Sequence, residues 1–181
     1  MQKPYKMEKI TNICQLIAEL EKCEGEEYYR IAHRLQIPKQ EFNSYAQFSD
    51  DTYTRICLDK TNQHELLLLC WKEGQETDIH SHDGEECWVY LAEGKIREKR
   101  FSGSAEDLHL TDDVQMKKSG ISYMNDEMGY HSLHNIEKGQ SMTLHLYVGP
   151  INKCEVFCAE EEDFIEKKLS YDENLVGEIT A

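Results

Sequence analysis

Gly74-Gln75-Glu76-Thr77-Asp78-Ile79-His80-Ser81-His82-Asp83-Gly84-Glu85-Glu86-Cys87 comes soon after the apolar run Leu66-Leu67-Leu68-Leu69-Cys70-Trp71. Two histidines at i and i+2 in an extended segment point the same way, because side chains alternate across a strand. Both imidazoles can then converge on one metal ion from one stretch of backbone. A lone His-x-His pair is weak evidence, but further residues stand at fixed distances around this one. The spacing reads Gly74-x5-His80-x-His82-x4-Cys87-x6-Gly94, and about 40 residues on comes Gly120-x10-His131-x3-Asn135, which supplies a third histidine.

These two spacings resemble the paired motifs of the cupin superfamily, with Cys87 where the usual metal-binding glutamate stands. Glu86 is the competing candidate for that place. The six-residue gap to Gly94 fits Cys87, and a slip of one residue turns a side chain to the other face of a strand. Cys87 is therefore assigned to the cavity and Glu86 to the outside. The expected fold is mainly β: a small cupin β-barrel of jelly-roll type, with N-terminal α-helices packed outside it.

The chain has 181 residues, which suits a single domain over 1–181 with a sizeable core. A net charge of −15 argues against nucleic acid and anionic membrane surfaces as partners. The longest apolar run is far too short to span a bilayer. Residues 1–9 are basic but lack the apolar core of a secretion signal, so a cytoplasmic protein is expected. It is expected to act as a monomer. Seven cysteines, an odd number without CxxC pairs, do not form a disulfide framework. Cys14, Cys57 and Cys70 read as small buried hydrophobes.

Residues 8–47 read as helical. Ile10, Ile13, Ile17 and Leu20 form one apolar stripe, Gly25 breaks it, and Tyr29, Ile31, Ala32 and Leu35 suggest a second helix. Pro38 opens a short third. The remainder, 51–181, reads as the barrel, with strands near 52–58, 65–71, 77–81, 86–92, 95–101, 107–117, 120–124, 131–136, 141–148, 154–158 and 163–170. In the strand over 141–148, Met142, Leu144, Leu146 and Val148 make an apolar face. Thr143, His145 and Tyr147 make a hydrogen-bonding one, which in a cupin can face the metal. His134 is expected to face outward, and His33, His64 and His109 to lie on the surface.

A closer resemblance, to the cysteine dioxygenases, is carried by Tyr53-Thr54-Arg55 and by LLLLCWKEGQETDIHSHDGEECWVYLAEG over 66–94. YMNDEMGYH over 123–131, LHLY over 144–147 and Cys154 extend it. It implies mononuclear Fe(II) held by His80, His82 and His131, and oxidation of the thiol of L-cysteine by O2 to cysteine sulfinate. It places Arg55 at the substrate carboxylate, with Tyr53 and Cys154 nearby. It gives Tyr147, His145 and Cys87 catalytic positions, with Cys87 and Tyr147 able to join through a thioether. The residues are compatible with this chemistry. Imidazole suits several transition metals. Three neutral ligands on a six-coordinate ion leave room for a thiolate, an amine and O2. An arginine fork can grip a carboxylate with two parallel hydrogen bonds.

One departure from the mammalian-type pattern is Val148-Gly149-Pro150 in place of Ser-Pro-Pro after the tyrosine. Glycine removes the low cost of a cis bond, so a trans bond is expected there. Three other readings stay open: a dioxygenase of another small thiol carboxylate such as 3-mercaptopropionate, a non-catalytic metal- or metabolite-binding cupin, and a zinc isomerase. The missing carboxylate ligand disfavours the last.

Overall fold

The apolar run Leu66–Trp71 lies in a strand, His64–Trp71, whose eight residues are all buried. Alternate side chains of a strand point to opposite faces, so full burial requires cover on both. Leu66, Leu68 and Cys70 pack in one cluster with Ile13, Leu16, Leu20 and Ile31 from the N-terminal region. Leu67, Leu69 and Trp71 pack in another with Cys87, Val89, Leu133 and Tyr147. One strand thus separates an outer core, beneath helices, from an inner one between sheets.

This is a computed structural model, and it describes residues 8–23, 25 and 27–179. The basic stretch at 1–7, positions 24 and 26 of the expected helical region, and 180–181 lie outside the described residues. The helices are α1 (Ile13–Leu20) and α2 (Glu27–Ala32), followed by a 3-10 turn, Lys39–Phe42. The strands are β1 (Thr54–Lys60), β2 (His64–Trp71), β3 (Glu86–Glu93), β4 (Ile96–Ser102), β5 (His109–Gln115), β6 (Ile121–Met124), β7 (Tyr130–Asn135), β8 (Ser141–Val148), β9 (Lys153–Cys158), β10 (Asp163–Lys168) and β11 (Glu173–Asn174). A six-stranded sheet runs β11-β1-β2-β8-β3-β6. Opposite it lie β5-β4-β7 and β10-β9, joined through the segment 75–81 by Thr77 N–H to Leu133 O (2.9 Å), the His80–His131 backbone pair, and Phe157 N–H to Ile79 O (2.9 Å). The mainly β, jelly-roll expectation holds, but as two facing layers rather than one closed barrel.

Several local expectations are corrected. Residues 8–47 are not continuously helical. The Asn12 side chain accepts from Gln15 N–H at 2.7 Å and starts α1 there, so Ile10 lies outside the helix. Ile10 instead makes a parallel bridge with Leu35. Pro38 precedes a 3-10 turn rather than an α-helix. Cys14 is only half-buried, although Cys57 and Cys70 are fully buried. His64 is buried, not superficial, because its Nε2 meets the Asp59 carboxylate at 2.8 Å and its Nδ1 faces the Thr61 hydroxyl. The segment 77–81 carries isolated bridges on both sides rather than a regular ladder. β10 ends at Lys168, and the chain then crosses to the edge of β1, where β11 pairs in parallel with Ile56 and Cys57.

Gly94 follows β3 at φ +87°, where a Cβ would sit 1.9 Å from Ser141 Oγ and 2.9 Å from its Cα. Only glycine fits both the backbone angle and the close approach of β8. No cis peptide occurs among the described residues, and Gly149 stands at φ +99°.

Candidate metal centre and substrate cavity

After Ser81 the chain leaves the seam between β7 and β9. Asp83 (φ 55°) and Gly84 (φ 86°) make a two-residue turn closed by Glu85 N–H to His82 O at 3.1 Å, leading into β3. Asp126 holds this turn from across the molecule: its carboxylate accepts from His82 N–H and Gly84 N–H, each at 2.6 Å. His80 and His82 are thereby brought beside His131 of β7, whose backbone pairs with His80. One nitrogen of each of the three rings lies within 4.8 Å of the other two. The ring centroids are 4.6 to 5.5 Å apart.

Hydrogen bonds fix which nitrogens face inward. His80 Nδ1–H donates to Asp78 O at 2.9 Å, since a carbonyl can only accept. His131 Nδ1 lies 2.9 Å from Glu98 Oε1 and donates to it. Burial pushes Glu98 up, but hydrogen bonds from His131 and Ser122 and the charge of Arg100 outweigh it and hold Glu98 at about 2. Both imidazoles thus present Nε2 to the centre. Burial, with the neighbouring imidazoles, lowers His80 well below its ordinary value. Burial also lowers His131, to about 4, against the pull of Glu98. They are neutral at physiological pH, the form that binds metals. Both ring nitrogens of His82 are buried without a hydrogen-bond partner; Asp126 Oδ1, at 3.7 Å from Nδ1, is beyond bonding reach. A buried imidazole left unsatisfied is costly unless a ligand completes it, and three converging neutral imidazoles suit a transition-metal ion.

A cavity opens beside this cluster, lined among others by Tyr53, Arg55, His80, His145, Tyr147 and Cys154. Arg55 Nη2 is buried there with no protein partner. Tyr53 stacks on Trp71 at 4.6 Å. Trp71 Nε1–H donates to Thr143 Oγ1 at 2.9 Å, and Thr143 Oγ1 lies 2.9 Å from His145 Nε2. The Thr143 hydroxyl thus links the Trp71 indole to the His145 ring. Burial, with Arg55 nearby, lowers His145 well below its ordinary value. His145 stays outside the three-histidine group.

Cys87 and Tyr147 stand directly opposite each other on β3 and β8. Cys87 is fully buried, whereas Glu86 is exposed. Burial raises both the Cys87 thiol and the Tyr147 phenol, so both are protonated at neutral pH. Burial also raises the Cys154 thiol, to about 11. Six of the nine residues singled out in the sequence line this cavity; His82 and His131 adjoin it through their cluster with His80, and Cys87 through its pairing opposite Tyr147. Sequence reasoning missed Glu98 and Asp126, which orient the histidines, and Lys167, which pairs with Asp78 at 2.7 Å at the cavity. Glu98 left one signal: it shares inward parity with Ile96 on an otherwise more exposed strand.

Comparison with known proteins agrees with this geometry. A family model described as cysteine dioxygenase type I matches residues 3–160. The Danio rerio protein named cysteine dioxygenase type 1 is 27% identical over 161 residues, covering 86% of this chain and 80% of its own. The Homo sapiens protein of the same name is 28% identical over 137 residues, covering 73% and 68%. A solved Thermus thermophilus structure superposes with a TM-score of 0.50 at 15% identity, covering 60% of this chain and 93% of that one; this likeness speaks to the fold alone.

Proposed function

The chain belongs to the cysteine dioxygenase type I family, and we propose that it uses Fe(II) to oxidise the thiol of L-cysteine with O2 to the sulfinate. Both oxygen atoms enter the product, so no external reductant is required. His80, His82 and His131 would hold the iron, which when bound supplies a site for the deprotonated thiol and for O2. The observation that carries the reading is the unpartnered Arg55 Nη2 in the same cavity as the three-histidine cluster.

The protein's own groups have separable tasks. Arg55 would bind the substrate carboxylate, fixing orientation as well as charge. Neutral His145 is held through Thr143 by Trp71 and stands beside Tyr147, ring centroids 6.3 Å apart. Tyr147 keeps its proton and can donate it in a hydrogen bond at the reacting thiol. The buried walls exclude water, which strengthens each of these interactions. Anaerobic loading with Fe(II), then addition of L-cysteine and O2, should yield cysteine sulfinate, two oxygens heavier by mass spectrometry. Turnover of 3-mercaptopropionate but not of cysteine would reassign the substrate; no thiol oxidation at all would refute the activity.

A further inference from the structure

Arg55 is held largely by residues distant in sequence. Its Nε–H donates to Ser170 O at 3.2 Å, its backbone N–H to Asp172 Oδ2 at 2.8 Å, and its carbonyl accepts from Asp172 N–H at 2.9 Å. These partners lie on Leu169–Asp172, the segment that crosses from β10 to β11. Leu169 itself lines the cavity and donates its N–H to Asn152 O at 2.9 Å. The segment lies beyond the residues 3–160 matched by the family model.

An anchor fastens it. Glu65 on β2 is wholly buried, and it faces Tyr147 across the β2–β8 pair. A buried carboxylate must be compensated by donors. Tyr171 O–H donates to Glu65 Oε1, Lys60 Nζ stands 3.2 Å from the same oxygen, and Lys60 also donates to the Tyr171 oxygen at 2.6 Å. Ile151 N–H reaches the other oxygen at a long 3.4 Å. Burial and the bond to Glu65 push the Tyr171 phenol up to about 12, so it remains a donor at physiological pH. Glu65 is thus compensated jointly by the Lys60 cation of β1 and by the Tyr171 hydroxyl of the crossing segment, and that segment occupies one side of Arg55 while leaving Nη2 bare.

We propose that Tyr171 is a positioning residue for substrate recognition: latched on Glu65 and Lys60, it holds Leu169–Asp172 against Arg55 and keeps the guanidinium set to receive a carboxylate. This rests on the reading of Arg55 as the carboxylate ligand. Without the latch the segment loosens, Arg55 gains rotamer freedom, and only ligands that use the guanidinium lose affinity.

The test is calorimetric binding of L-cysteine and of cysteamine, which lacks the carboxylate, to the Fe(II)-loaded full chain without O2. Tyr171→Phe keeps the ring and should weaken L-cysteine binding by roughly fivefold to tenfold, the worth of one hydrogen bond, while changing cysteamine less than about twofold. Asp172→Ala, an exposed change that leaves Glu65 paired, should produce the same selective loss and covers the case in which Tyr171→Phe does not fold. Arg55→Ala combined with Tyr171→Phe should bind cysteine no more weakly than Arg55→Ala alone, because the latch acts through the arginine. Equal loss for both thiols, or loss for neither, in a folded latch variant would overturn the proposal. Arg55→Ala alone separates the two readings. If it weakens both thiols equally, the carboxylate role itself fails; if it is selective and the latch variants are not, only the latch fails.

Discussion

Glu98 lies two residues after Ile96 on β4 and turns inward with it, where its carboxylate accepts a hydrogen bond from His131 Nδ1–H and is in turn held by Ser122 and Arg100. An ionised carboxylate behind an imidazole fixes the tautomer and raises the basicity of the far nitrogen. Glu98→Gln keeps the shape and removes the charge; Fe(II) affinity, measured by competition with a chelator, should fall about 10–100-fold. Unchanged affinity would show that the pair serves packing alone. Cys87 and Tyr147 carry a second prediction at this scale. They stand directly opposite each other on β3 and β8, the placement that a thioether between them requires. Joining them removes the thiol hydrogen and one ring hydrogen, with both electrons passing to O2. Intact mass after aerobic turnover should fall by about two hydrogens, and Cys87→Ser should abolish the change. The histidines and Cys87 were legible because motif spacing records them. Glu98 and Asp126 were not, because an orienting carboxylate is defined by what it reaches across the fold, and Asp126 stands 44 positions from His82.

β2 and β8 are paired along their whole lengths, Leu67 opposite His145 and Leu69 opposite Thr143, so the apolar inner face of one supports the polar inner face of the other. The alternation in β8 could be read directly: Met142, Leu144 and Leu146 join the outer core, and Thr143, His145 and Tyr147 point into the interior. That Thr143 links Trp71 to His145 could not be read, because the link depends on register between strands. Thr143→Val is nearly isosteric and leaves Trp71 Nε1 and His145 Nε2 without their shared hydroxyl. With His145 no longer held in place beside Tyr147, kcat/KM for cysteine should drop roughly tenfold at unchanged iron content. Loss of iron instead would place Thr143 in metal retention. The elements that sequence reading misplaced share a physical cause. The segment 77–81 is extended but irregular because it bridges two small sheets and must release His82 into a tight turn. β11 is two residues long, too short for any periodicity, and exists because the edge of β1 needs a partner.

The three histidines connect parts of the molecule that are otherwise joined by sparse bonds. His80 belongs to the segment between β7 and β9, which is held by isolated bridges, and His82 to the turn that leads into β3, whereas His131 belongs to the continuous β4–β7 pair. A metal bound to all three would close the seam between the small sheets, and it would bind the folded chain far better than the unfolded one. At a free metal concentration a hundredfold above the dissociation constant, linkage gives about 2.7 kcal/mol of stabilisation. For a chain of this size each kcal/mol moves the midpoint by roughly 2–4 °C. Anaerobic Fe(II) should therefore raise Tm by about 5–10 °C, and hydrogen exchange should slow chiefly over residues 77–82. His82→Ala should keep the fold, since it removes a side chain whose ring nitrogens make no hydrogen bond within the protein, yet lose nearly all of the metal-dependent rise. If that variant still gains the full rise, the stabilising ion sits elsewhere. If the wild-type chain gains none, the cluster does not bind iron, and the unpaired nitrogens of His82 require a different explanation.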